Sequence, residues 1–171
     1  MADLKSVPDA VKWQLAARNA ALIPALYDRM FRKEIGDRYD EIEHEVWVAL
    51  SRTSYDIATE LSFPVDTAGN LAKSIMAVMI ILYGPDFKNE ILDVAEDRSV
   101  IVIRRCPFHA IGTPHLEHGE NTFHKCMAFT LMSVPLLNKK FQARFVRAMC
   151  LGERQCEIKV EPKPEEEEKK S

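Results

Sequence analysis

Residues 90–104 read EILDVAEDRSVIVIR, and this stretch decides the fold. Glu90–Val94 and Ser99–Arg104 are rich in β-branched and apolar residues, and the polar turn Ala95-Glu96-Asp97-Arg98 separates them, so the segment predicts a β-hairpin. Everything before it carries the helical period instead. A helix opens at Asp66 or Thr67, where an acidic or hydroxyl side chain caps it, and stops at Gly84-Pro85 after Tyr83. Residues 38–62 keep a helical spacing through Ile42, Val46, Val48, Leu50, Tyr55, Ile57 and Leu61 until Phe63-Pro64, because a proline disfavours a helical predecessor. Residues 9–34 set Val11, Leu15, Leu22, Leu26 and Met30 along one helical face and end near Gly36. Pro24 lies inside that pattern; its missing N–H and its ring predict a kink or break near residues 20–23.

Towards the C-terminus, a histidine-bearing loop covers residues 106–121. An apolar helix follows from about Thr122 to Lys140, disturbed at Pro135. Residues 143–150 and 155–160 then read as a second hairpin turning at Leu151-Gly152-Glu153-Arg154. Four antiparallel strands with helices packed on one face make a two-layer α+β fold. The expected organisation is a single domain over residues 1–160, with 1–85 as the helical layer and 86–160 as the sheet and its site. Residues 161–171, with four consecutive glutamates, cannot bury apolar surface and are expected to be a disordered acidic tail. Such a terminus serves solubility or, alternatively, interaction with a partner.

The chain has 171 residues, 47% of them hydrophobic and 29% charged, with a net charge of −3. That composition is globular, and the charge gives no general attraction to nucleic acid or to an anionic membrane. The longest apolar run, Ile75 to Tyr83, is far shorter than the ~20 residues a membrane-spanning helix needs. The first residues lack a basic stretch, an apolar run and a small-residue cleavage site, so a cytoplasmic location is expected.

Cys106, His109, His115, His118, His124 and Cys126 crowd into 21 residues, and Cys150 and Cys156 flank the last turn. Thiolate and imidazole are the ligands zinc, iron and iron–sulfur centres prefer, and cytosolic thiols stay reduced. The expectation is therefore a metal- or iron–sulfur-binding domain, with Cys106, Cys126, Cys150 and Cys156 as first ligands and His109 and His124 in reserve. A closed four-cysteine site would be structural for zinc or would hold an iron–sulfur cluster. Zinc with an open position would activate water for hydrolysis, with Glu117, Glu120 or Glu153 as base. In a further reading Cys106 is a nucleophile paired with His109, its thiol pKa lowered by the start of a short helix after Pro107. The remaining alternatives are that the cysteines simply fill the core, and that the chain is a metal-free interaction module.

The series Ile-Arg-Arg-Cys-Pro-Phe-His, Phe-His-Lys-Cys and Met-Cys-Leu-Gly-Glu-Arg-Gln-Cys-Glu-Ile-Lys-Val, within Val100–Val160, resembles the L-2-amino-thiazoline-4-carboxylic acid hydrolase-like family. It also resembles the four-vinyl reductase domain. The matching residues are Cys106-Pro107, Cys126, Cys150, Gly152-Glu153 and Cys156; where the four-vinyl reductase pattern has a second cysteine, this chain has His109. The resemblance implies kinship with small-molecule binders that also include TRAPP transport subunits, and a ligand cavity between helices and sheet walled by Ile75–Tyr83 and Met127–Leu137. The hydrolase resemblance implies opening of a cyclic amidine by water. A small-molecule ligand, a protein partner, a second copy of the chain and a larger complex are the partners expected on these readings.

Overall fold

A computed structural model describes residues 4–110 and 120–164 of the chain. Three long helices come first: α1 (Asp9–Ile35), α2 (Arg38–Glu60) and α3 (Ala68–Tyr83). The hairpin β1 (Lys88–Ala95) and β2 (Arg98–Arg105) follows, then a single turn α4 (Pro107–Ala110) and helix α5 (Glu120–Leu137). Strands β3 (Phe141–Arg147) and β4 (Cys156–Pro162) complete the fold. The sheet has the order β1-β2-β4-β3 and every neighbouring pair is antiparallel. Helices α3 and α5 pack on the sheet, α2 packs on α5, and α1 lies over α3 and α2. The fold is the expected α+β arrangement.

Local chemistry sets the boundaries. The Thr67 hydroxyl accepts the Asn70 N–H at 3.2 Å and starts α3. Gly84, at φ +97°, ends it in a conformation that L side chains rarely adopt. The first hairpin is tighter than expected, because Ala95 pairs with Arg98 and only Glu96-Asp97 remain in the turn. The second is shorter on its first side: β3 ends at Arg147, and Met149–Leu151 form a 3-10 turn closed by Gly152 at φ +92°. Strand β4 runs to Pro162, and residues 165–171 of the expected tail lie outside the described residues.

At the two prolines expected to kink or break α1 and to disturb α5, there is no break. Both α1 and α5 continue through Pro24 and Pro135. A proline removes one backbone donor, so Ala20 loses its intrahelical partner, but the neighbouring turns hold the helical course.

The core lies between α3, α5 and the inner sheet face. Leu71, Ile75 and Met79 meet Ile101 and Ile103 of β2, Ile158 and Val160 of β4, and Phe129 and Val134 of α5. The alternation Cys156, Ile158, Val160 inward is the period-2 pattern of a half-buried strand. Charged residues pair on the sheet, Arg104 with Glu90 at 3.0 Å and Arg144 with Glu161 at 3.3 Å.

The outer helices differ from their sequence pattern. The buried stripe of α2 is Tyr39, Glu43, Trp47, Ser51, Ser54 and Ala58, while Ile42, Val46, Tyr55 and Leu61 are exposed. Small side chains let α2 approach α5 closely, and the Ser54 and Ser133 hydroxyls pair across this seam at 2.8 Å. In α1 only Ala17 and Ala21 are buried; Val11, Leu15, Leu26 and Met30 are exposed. Periodicity marks an apolar face, but not what covers it.

Candidate functional site

Because α1 touches its neighbours through small residues, it leaves an open cleft against α2. Ile23, Tyr27 and Phe31 of α1 face Ile42, Val46 and Leu50 of α2 across about 640 Å³. That volume is within the range of small-molecule sites, and the lining is almost entirely apolar. Pro24, Trp47 and Tyr83 form part of this cleft and also wall a second, water-sized pocket of about 30 Å³. Phe108, Lys125, Cys126 and Phe129 contribute to the smaller pocket. Aromatic rings hold it in shape: Tyr83 and Phe108 meet edge to face at 4.8 Å, and Trp47 meets Phe129 edge to face at 6.4 Å.

A buried ion-pair network lies beside both spaces. Lys125 of α5 contacts Asp28 of α1 at 2.8 Å and Glu43 of α2 at 3.1 Å. Arg32 extends the network from Asp28 to Asp40, each at 2.7 Å, and Tyr39 donates to Glu43 at 3.1 Å. Burial pushes the Glu43 carboxyl above its ordinary range, although Lys125 opposes the shift. The hydrogen bond from Arg32 holds Asp40 below the ordinary range. Sequence reasoning missed this network; its trace was Lys125, the single lysine or arginine in the otherwise apolar α5.

The four cysteines come to one region, close enough that each of the Cys106, Cys150 and Cys156 thiolates would raise the pKa of Cys126. All are free thiols. Cys106 is buried at the end of β2; burial pushes its thiol up to about 12, outweighing the Phe108 and His109 amides that pull it down. Burial also raises Cys126 well above the ordinary range, Cys150 to about 11, and Cys156. The Cys156 sulfur accepts the Met149 N–H at 3.3 Å, and Cys126 lies 4.0 Å from the Thr130 hydroxyl. His109 ends α4 and is half-buried, whereas His124 and Glu153 are exposed on the surface. His115, Glu117, His118 and the side chain of Glu120 lie outside the described residues.

No protein-family model matches the chain, and no curated protein matches it. Among solved structures it is similar to trafficking protein particle complex subunit 3 from Naegleria fowleri, in a crystal structure covalently bound to palmitic acid. The TM-score is 0.54 at 12% identity, over 85% of this chain and 96% of that one. At that identity the likeness shows a shared fold.

These findings correct the expected function. The chain was read as a metal- or iron–sulfur-binding domain, with a zinc- or cysteine-dependent hydrolase as alternative. Among the described residues, however, no group of three or more His, Cys, Asp or Glu is placed to hold a metal ion. The structural neighbour is a trafficking subunit. For the cysteine nucleophile the physical reason is burial, since attack needs a thiolate and the apolar surroundings of Cys106 and Cys126 favour the thiol. Of the expected ligands, Cys106 and Cys156 join the hydrophobic core.

Proposed function

We propose that this chain is a binding subunit that holds a hydrocarbon-chain ligand in the α1–α2 cleft and works as part of a larger protein assembly. The observation that carries the reading is the apolar cleft of about 640 Å³ between two helices of a trafficking-subunit-like fold. The neighbour's covalently bound palmitic acid and its place as a complex subunit support both halves of it. The exposed stripe Val11, Leu15, Leu26 and Met30 on α1 offers apolar surface to a protein partner. Among the described residues no helix is long and apolar enough to cross a membrane. Four free thiols suit the reducing cytoplasm as the site of action.

Residues 1–160 act in this reading as one domain with the acidic tail appended. The resemblance to four-vinyl reductase domains enters only as proposed kinship between small-molecule binders.

The test is solvent extraction of protein purified without detergent, followed by mass spectrometry of the extract. Wild type should carry a hydrocarbon-chain lipid, and an Ile42→Asp Val46→Asp variant should not. Both positions are exposed cleft walls, so the fold survives the change. Wild-type protein that neither carries nor takes up such a lipid would end the reading.

A further inference from the structure

Tyr83 presents the sharpest unexplained feature. It is 5% exposed, and its hydroxyl is a buried polar atom with no hydrogen-bond partner among the described residues. Buried hydroxyls are nearly always paired, so an orphan calls for a missing acceptor. Burial, then the nearby Cys126, raise the Tyr83 pKa, so the hydroxyl keeps its proton and remains a donor. Tyr83 walls both the large cleft and the small pocket.

We propose that Tyr83 and Lys125 form a head-group site for a hydrocarbon-chain ligand ending in a neutral oxygen acceptor, an acyl ester, whose chain lies along the α1–α2 cleft. This rests on the reading of the cleft given above. The small pocket, about 30 Å³, has room for an oxygen-sized group. Lys125 lines it and has three donors, two of which go to Asp28 and Glu43. The charge nearby argues for a neutral head. Asp28, Glu43 and Asp40 outnumber Lys125 and Arg32, so a further carboxylate would meet net repulsion while a carbonyl oxygen would need only the donors.

The ligand is held without a covalent bond. Cys126 lies in the same pocket, but burial raises its thiol pKa well above the ordinary range, and the Thr130 hydroxyl at 4.0 Å is no base to activate it.

Trp47 lines both spaces, so its fluorescence reports the site directly once Trp13, the second tryptophan, is replaced by Phe. The full chain is titrated at neutral pH with methyl decanoate, decanoate and decane. The ester should bind most tightly. Tyr83→Phe should weaken the ester roughly fivefold, the worth of one hydrogen bond, and leave decane unchanged. The variant removes only an unpaired hydroxyl and keeps the ring, so it folds. If ester and decane bind alike and Tyr83→Phe changes nothing, the head-group site is wrong while the cleft stands. Tighter binding of the carboxylate overturns the neutral acceptor. A protein-bound acyl mass that hydroxylamine removes and Cys126→Ser abolishes overturns the non-covalent assignment. If none of the three moves the Trp47 signal, the cleft reading falls together with the head-group site.

Discussion

Lys125 on α5 meets Asp28 on α1 at 2.8 Å across 97 residues of sequence, and the same ammonium group holds Glu43 of α2 at 3.1 Å. One side chain thus ties three helices together at a largely buried point. Replacing it leaves Asp28 to Arg32 and leaves the buried Glu43 with the Tyr39 hydroxyl alone among the described residues, and a buried carboxylate without its cation costs more than the pair contributes over an apolar alternative. Lys125→Met should destabilise the fold by about 3 kcal/mol in urea titrations. A loss below about 1 kcal/mol would show that water reaches the network.

Glu43 and Asp40, both on α2, act on stability in opposite directions with pH. Glu43 has a folded pKa above its ordinary 4.5, so between those values the folded state binds the proton that the unfolded state has released. Its contribution to stability therefore falls as pH rises from about 4.5 through the raised value. Asp40 is depressed below its ordinary 3.8, so its contribution is present above that pH and is lost as acid titrates it. Chemical denaturation across this range should show a flatter profile above pH 4.5 in Glu43→Gln, and an unchanged slope would contradict the burial argument.

The apolar stripe of α1 is surface, although its spacing is that of a core face. Leu15→Asp and Met30→Asp, at positions 61% and 64% exposed, should each change stability by no more than about 0.5 kcal/mol. Phe129→Ala, at a position 2% exposed, should cost roughly 3–5 kcal/mol. Thermal or urea unfolding of the three variants separates an interface stripe from a core stripe.

The thiols should be unreactive in the folded protein. With Cys106 raised to about 12 and Cys150 to about 11, few thiolates exist at mildly alkaline pH. Alkylation with iodoacetamide, followed by intact mass, should label the native chain slowly and all four cysteines promptly in denaturant. Rapid native labelling of Cys106 would restore a reactive-thiol role.

The fold was legible wherever a local residue choice fixes a boundary. Thr67 as a cap, Gly84-Pro85 as a stop and the β-branched run Val100–Ile103 all act within a few residues of themselves, and the structure follows them. The candidate site was less legible, because its properties arise between segments. Leu15 and Ile75 look alike in sequence; only the packing leaves one outside and the other within. The cysteines lie near one another, but their burial, which raises the Cys126 thiol, is set by segments far apart in the chain and leaves no local mark. Lys125 and Glu43 held the opposite lesson, since charged residues at core-facing helical positions must be paired, and their partners lay far along the chain.

The slender attachment of α1 bears on the cleft it walls. Its 27 residues bury two alanines, one of them packed toward Gly84, with the Trp13 indole donating to the Ile81 carbonyl at 3.0 Å and Asp28 and Arg32 clasping the far end. A helix held this way lifts at a lower free energy than the sheet beneath it comes apart. Since α1 is one wall of the cleft, the width of the cleft follows the more lightly fastened helix, and a ligand of the proposed kind would meet one yielding wall and one fixed wall.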